Sequence, residues 1–346
     1  MNYLEELESL RKKIWAKTII SFLSITLLLI IILVSSSSSG STDELGKIFI
    51  IVIVFGILCI ELITNKTFIT LLLIIILVSS SSSSSTDEFG SFFIIVIVFG
   101  TLLTKLITNK NVREYKKIYK QNITLETFKC VFTDVDYSPN LGLPESVISS
   151  TKMMNTGDRY HSNDYISAKY KEINFECADV YIEKKYRDKD GHTHYITIFK
   201  GQWLIFDFNK TFKANVQICE KSFRGDKRGD LFSDEVYEKV KMEDVDFNKT
   251  FKIYAENEID AFYVLTPNMM EKIKKLNNEL HGNLLFCLIN SKMHIGLHNS
   301  KDLFEPNVYK KINLEEEKQR ILKDIKIITE FVDILDLDND LFKRRW

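Results

Sequence analysis

The chain has 346 residues, which is enough for one helical region and one or two further domains. Its 46 basic and 47 acidic side chains nearly balance, and this excludes the strongly basic character that is typical of nucleic-acid-binding domains. The five cysteines are an odd number without paired spacing, so they indicate free thiols in a reducing compartment rather than a disulfide framework.

A block of 42 residues occurs twice near the N-terminus, at positions 25–66 and 69–110, and 34 of the aligned pairs are identical. Each copy holds two apolar runs around a serine-rich loop. A helix needs about 20 apolar residues to cross a hydrocarbon core of roughly 30 Å. The first run meets this length and the third is short. The four apolar runs are 14–34, 48–63, 67–78 and 92–107.

Basic residues flank this region on its outer sides, with Lys12 and Lys13 before it and Lys110 and Arg113 after it. The positive-inside rule then places both termini in the cytoplasm and both serine loops outside. We expect an integral, multi-pass protein of the cell membrane with four spans, or two if one copy lies in the interface. Because no charged residue falls in the middle of a run, we expect an anchor rather than a pore.

The sequence predicts three domains: a cytoplasmic amphipathic segment at 1–13, a transmembrane region of two tandem helical hairpins at 14–110, and a cytoplasmic domain at 111–346. The last has an α+β pattern with a mainly antiparallel sheet, because its strands follow one another in runs and its helices lie at the ends. A DKDG turn separates two of the strands. Strands are predicted at 166–186, 193–208, 213–221 and 250–265, a second hairpin at 283–298 with its turn at Asn290-Ser291-Lys292, and helices at 267–282 and 312–337.

The heptapeptide DFNKTFK occurs at 207–213 and again at 246–252. In both copies we expect the two phenylalanines to pack inward beside a turn in which the Asp and Asn side chains bond to the backbone. An alternative interpretation makes Asp207 and Asp246 ligands of a cation.

Several segments of the C-terminal part resemble an uncharacterised bacterial membrane family, domain of unknown function thirty-one thirty-seven. The resemblance is carried by GDRYHSNDYISAKYKEINFECADV, FKGQWLIFDFNKTFKANVQI, DFNKTFKIYAENEIDAFYVLTPNMMEKI and MHIGLHNSKDLFEP, between about Tyr115 and Pro306. It implies a basic N-terminal helix, a two-helix anchor and a soluble domain. The doubled anchor departs from the family pattern, and the resemblance implies no activity.

Candidate chemistry is sparse. His192 and His194 would share a strand face about 7 Å apart, a spacing that could bind zinc with help from Asp188 or Asp190. These histidines are the metal candidates, although two ligands do not make a firm site. His294 and His298 would lie roughly 13 Å apart, too far to share an ion. The sequence has no catalytic or cofactor-binding motif.

The sequence therefore predicts a membrane-anchored bacterial protein that uses no cofactor. Its cytoplasmic domain is expected to bind a protein partner or an anionic lipid head group. An enzyme with an unrecognised site around Asp207, Asp246 and the histidine hairpin is the alternative, and a transporter or channel component is the second alternative.

Overall fold

The computed structural model describes residues 2–36, 87–154, 157–207, 215–223 and 237–335. The chain divides into two compact units. The first unit is Met1–Tyr119 with Pro306–Ile312, and the second is Lys120–Glu305 with Asn313–Trp346.

Two long helices make up most of the first unit: α1 (Tyr3–Ser36) and α2 (Asp87–Tyr119). They run antiparallel and approach closely at Gly100, where an added Cβ would lie 2.5 Å from the Cδ1 atom of Ile25. Further along the pair, Ser21 and Thr104 share a hydrogen bond. Small and polar residues therefore let the two backbones pack tightly.

No helix in the described part of the chain is both long enough and apolar enough to cross a membrane. This finding overturns the expected fold class with its anchor of tandem helical hairpins. It also overturns the expected multi-pass cell-membrane localisation, and the expected integral bilayer partner is not shown. The charged side chains of α1 all lie in its first half, up to Lys17, and those of α2 lie at its start and from Lys105 to its end, while the apolar runs 48–63 and 67–78 lie outside the described residues.

The second unit is built on a nine-stranded sheet with the order β1-β2-β3-β4-β9-β8-β5-β7-β6. Every neighbouring pair is antiparallel. The strands are β1 (Thr133–Ser138), β2 (Arg159–Tyr170), β3 (Ile173–Arg187), β4 (Thr193–Asp207), β5 (Val216–Glu220), β6 (Glu238–Val240), β7 (Phe251–Ala255), β8 (Asn283–Ile289) and β9 (Lys292–His298).

Short helices and one long helix accompany the sheet in this unit. A π-helical turn at Lys120–Thr124 leads into the first of them. The helices are α3 (Leu125–Lys129), α4 (Glu145–Ser150), α5 (Val245–Thr250), α6 (Glu258–Val264), α7 (Pro267–Glu279) and α8 (Leu314–Leu335).

Both faces of the sheet are covered. On one face Phe331 of α8 packs against Phe206 and Phe286, with ring centroids 6.5 Å apart in each pair. On the other face Trp203 lies in an apolar cluster that also includes Ile148 of α4. The alternation of side chains along β4 explains this, because Trp203 and Phe206 point to opposite faces.

One predicted strand is wrong in its second half. The sequence pattern indicated a single strand over 250–265, whereas the structure has β7 followed by helix α6. Asn257 caps the helix, and its side chain accepts a hydrogen bond from the backbone N–H of Ile259 at 2.9 Å. An Asn cap followed by acidic residues is a helix-start signal, and here it outweighs the β-propensity of the apolar residues.

Candidate functional site

The most unusual chemistry of the second unit is a group of ionisable side chains that we call the carboxyl cluster. It consists of Lys120, Asp164, Asp179, Asp302 and Glu305. The π-helical turn supplies Lys120, strands β2 and β3 supply Asp164 and Asp179, and the loop after β9 supplies the other two. Asp164 is 1% exposed and Lys120 5% exposed, so a charged pair lies in the interior.

An ion pair with several supporting hydrogen bonds forms the centre of the cluster. The Lys120 Nζ atom lies 2.9 and 2.7 Å from the two carboxylate oxygens of Asp164 and also bonds to Glu305. Asn163 donates to the Asp164 Oδ2 atom at 2.7 Å, and the Tyr137 hydroxyl donates to Oδ1. The Asp164 carboxylate therefore accepts bonds from three side chains, which offsets its loss of water.

The backbone of Asp164 explains how its side chain reaches the interior. Strand pairing shifts register between Asn163 and Ile166, which marks a β-bulge. Asp164 has a φ of 55°, and its N–H donates to the carbonyl of Pro139 at 3.1 Å. Asp tolerates the left-handed region better than most residues, so it suits a bulge that redirects a side chain.

A second set of bonds holds the loop after β9, residues 299–305, against the sheet. Asp179 accepts from Gln202 Nε2 at 2.9 Å and from the backbone N–H of Leu303 at 2.8 Å. Gln202 in turn donates to the Lys301 carbonyl and accepts from Asn299 Nδ2 at 2.7 Å. The loop is thus fastened by side chains of β3 and β4.

The electrostatics of the cluster favour bound protons. Although burial opposes the ammonium form, Asp164 and Glu305 together raise the pKa of Lys120. Burial and a hydrogen bond with Asp302 raise the pKa of Asp179 well above its usual range. Asp179 therefore retains a proton more readily than an isolated aspartate does.

Metal binding is the other chemistry that this arrangement suggests. Among the described residues, Asp164, Asp302 and Glu305 each offer an oxygen within 4.8 Å of the others. Lys120 already contacts two of these three side chains. The ammonium group therefore takes the place that a cation would need, and the cluster is a charge network rather than an open metal site.

The predicted metal candidates lie elsewhere, at the tip of the β3–β4 hairpin. His194 bonds to the Asp188 carboxylate at 2.8 Å and stacks on Tyr186. The backbone N–H of His192 donates to the same carboxylate at 2.8 Å. Asp188 is thus engaged by both residues, and the zinc site stays a prediction.

The residues of the alternative enzyme site do not come together. His194 and Asp207 lie near opposite ends of strand β4, and 13 residues of extended chain separate them by roughly 40 Å. Asp207 accepts from Asn174, and Asp246 pairs with Lys249 within helix α5. In the second heptapeptide the buried rings of Phe247 and Phe251 lie 4.7 Å apart, as expected, while residues 208–213 of the first lie outside the described residues.

Sequence reasoning missed a second feature, the outer face of helix α6. Ile259, Phe262 and Tyr263 are 74%, 43% and 63% exposed, and their spacing of i, i+3 and i+4 places them on one side of the helix. Ala261 and Val264 face inward and are buried. The strand prediction concealed this face, because in a strand Phe262 and Tyr263 would point in opposite directions.

The fold and these sites define an α+β domain with an antiparallel sheet, a buried carboxyl cluster and an exposed apolar helix face. Residues 197–337, from β4 through the region of α8, match the model of a family described as "Protein of unknown function (DUF3137)". The match confirms the resemblance expected from the sequence over these residues, and this region is a domain of unknown function.

Comparison with other proteins adds little to this assignment. No curated protein matches the chain. A solved structure described as "crystal structure of the mycobacterial trehalose monomycolate transport factor A, TtfA" is 8% identical, and the alignment covers 63% of this chain and 96% of that one. The TM-score is 0.35, and nothing about that protein is carried over to this chain.

Proposed function

We propose that the second unit is a non-catalytic binding module that recruits a protein partner through the outer face of helix α6. The observation that carries this proposal is the exposure of Ile259, Phe262 and Tyr263 on one helix face. Apolar side chains gathered at helical spacing on a surface are typical of protein-docking sites.

The size of the face limits the affinity that these three side chains can supply. Large side chains bury about 150–250 Å² each, so the three exposed fractions together leave roughly 300 Å² of apolar surface in water. Covering that area contributes about 7 kcal/mol before the costs of association are subtracted. Association costs about 4 kcal/mol or more, so the three side chains alone give binding no tighter than the millimolar range, and a tighter partner must also contact residues around the face.

The charge around the face indicates the chemistry of the partner. The stretch 256–264 contains Glu256, Glu258 and Asp260 and no basic residue. Complementary charge speeds association and selects among partners. We therefore expect the occupant to be a basic amphipathic segment of another protein, with apolar residues that cover α6 and lysines or arginines at its rim.

The test is site-specific photo-crosslinking in cells that express the full chain. A photoreactive residue replaces Tyr263 on the face, and a matched control carries it at Tyr186 on the β3–β4 hairpin. We expect a discrete protein adduct at position 263 that is lost when Ile259→Ser and Phe262→Ser are added. Mass spectrometry then identifies the partner, and its purified segment should bind more weakly as salt rises.

Three outcomes would contradict the proposal: no discrete adduct at position 263, an adduct that survives both serine substitutions, or an adduct with a second copy of this chain. Among the described residues no assembled set favours the enzymatic alternative, and no described feature supports a transporter or channel.

A further inference from the structure

The hairpin of β3 and β4 extends past both of its neighbouring strands. On one side the pairing of β2 with β3 stops where Arg159 lies across from Glu183. On the other side the pairing of β9 with β4 stops where Gly201 lies across from His298. Residues 193–197 of β4 therefore pair with β3 alone, and among the described residues no group outside β3 bonds to their backbone. We call this stretch of β4 the open edge.

The residues of the open edge favour pairing with a further strand. Its sequence is THYIT, in which four of five residues are β-branched or aromatic and none is a proline, a lysine or an acid. Tyr195 is 37% exposed, and Thr193, His194 and Thr197 are exposed as well. Proteins usually protect such an edge with a lysine, a proline or a bulge. Here the bulge lies at Ile198, where the regular pairing ends, so the five residues before it are unprotected.

One face of the hairpin beside the open edge carries positive charge. Lys185 lies directly across from Tyr195, and Arg187, two residues further along β3, points to the same face. Arg159 of β2 joins them, because its guanidinium lies 3.4 Å from the centre of the Tyr195 ring. Glu183 is the acid on this face, 3.7 Å from Arg159. Lys185 and Arg187 form no ion pair with another described residue, so their charges are available to a partner.

We propose that the open edge is a second docking site, at which an extended acidic segment of a partner protein adds as a strand beside β4. Hydrogen bonds between the two backbones supply affinity in this mode of recognition, and alternate side chains supply selectivity. Every second residue of the added strand points to the face with the three cations. Acidic residues at these positions lie about 10 Å from β3, a gap that the long side chains of Lys185 and Arg187 bridge.

The charges on the page favour an acidic protein segment over other occupants. Nucleic-acid binding requires a strongly basic domain, whereas the chain has 46 basic and 47 acidic side chains. A second copy of this chain would bring the same cations of both copies together. Pairing two five-residue edges also buries far less than the roughly 1,200 Å² of a stable interface.

This site is independent of the outer face of α6. The surroundings of α6 are acidic and call for a basic partner, whereas the open edge calls for an acidic one. Phe262→Ser on α6 should therefore leave binding at the open edge unchanged, and failure of one proposal leaves the other standing.

Fluorescence anisotropy with the full chain and a labelled nine-residue peptide of alternating Glu and Val tests the proposal. We expect binding that Lys185→Glu weakens by about tenfold or more through charge repulsion. Lys184→Glu is the matched control, because it makes the same charge change on the opposite face of the same strand, and it should weaken binding by less than about threefold.

Two N-methylated forms of the peptide separate strand addition from simple charge attraction. Each form carries methyl groups at alternate residues, and only one set of N–H groups can face β4. The form with methyl groups toward β4 should lose binding, while the other form should bind like the parent peptide. Hydrogen exchange should show that amides of 193–197 that exchange freely in the free chain become protected when the parent peptide binds.

Several results would overturn the proposal: no binding at about 1 mM peptide, equal losses in Lys184→Glu and Lys185→Glu, equal binding of the two methylated forms, or no added protection at 193–197. Protection of these amides that rises with the concentration of the chain alone would assign the edge to a second copy and would also overturn it. If Lys185→Glu does not fold, the methylated peptides with the wild-type chain decide instead.

Discussion

The carboxyl cluster and the outer face of α6 depart in opposite directions from the usual distribution of residues. The cluster places Lys120, Asp164 and Asp179 inside, each with hydrogen-bond partners, whereas α6 places large apolar side chains outside. Interior charge is tolerated only with complete compensation, and exposed apolar surface costs nothing in folding. The carboxyl cluster therefore bears on stability, while the outer face of α6 is available for binding.

The largest effect should come from removing the cation of the cluster. Lys120→Met leaves the buried Asp164 carboxylate without its ammonium partner, so we expect a loss of about 3–5 kcal/mol in the free energy of unfolding. Urea denaturation followed by circular dichroism measures this. Lys274→Met, which removes a solvent-screened ion pair with Asp244, should cost much less. Equal losses in the two variants would contradict the expected difference between the buried ion pair of Lys120 and the screened ion pair of Lys274.

A buried histidine should produce the next largest effect, through pH. Burial lowers the pKa of His294 to about 4, below its unfolded value of about 6.5. The unfolded chain therefore binds a proton first, and stability falls by about 3 kcal/mol as pH drops from 6.5 to 4. His294→Gln should remove this part of the acid sensitivity in unfolding measurements at several pH values. His281→Gln, at an exposed position, is the control and should change nothing.

A smaller loss should follow from removing one hydrogen bond of the cluster. Tyr137→Phe deletes a hydroxyl that donates to the Asp164 carboxylate, and we expect a cost of about 2 kcal/mol. Tyr181→Phe deletes a comparable bond to Glu183 at a half-exposed position and should cost well under 1 kcal/mol. Thermal unfolding of both variants provides the test, and a larger loss for Tyr181→Phe would contradict it.

The smallest effect on stability should come from the exposed face. Ile259→Ser and Phe262→Ser should each change the free energy of unfolding by no more than about 0.5 kcal/mol. Val264→Ala on the buried side of the same helix should cost about 1–2 kcal/mol through lost burial. If the two serine variants destabilise as much as Val264→Ala does, the face has a structural role and the contrast between the regions fails.

Much of the sheet domain could be predicted because local signals were strong. Thr266 and Pro267 mark the start of α7, and Asn290 with Ser291 forms the two-residue turn between β8 and β9. The turn between β2 and β3 escaped notice because Lys171 and Glu172, both with positive φ, are not typical turn residues.

The carboxyl cluster could not have been predicted from spacing. Lys120 and Glu305 are 185 positions apart and meet only because the π-helical turn and the loop after β9 pack on the same end of the sheet. Single Asp and Lys residues in a charged sequence carry no signal of burial. The predicted membrane anchor is wrong for the part of the chain that the structure describes, where no helix is both long enough and apolar enough to cross a membrane.

The π-helical turn at Lys120–Thr124 sets the spacing between two side chains that make fixed contacts, Lys120 and Phe128. Lys120 is held by Asp164, while Phe128 packs edge-on against Tyr137 and Phe304, each at 4.9 Å. Because each residue of a helix turns by about 100°, deleting one residue between these points would rotate one of them away from its partners. Insertions and deletions are therefore forbidden in this short stretch, although helix termini usually accept them.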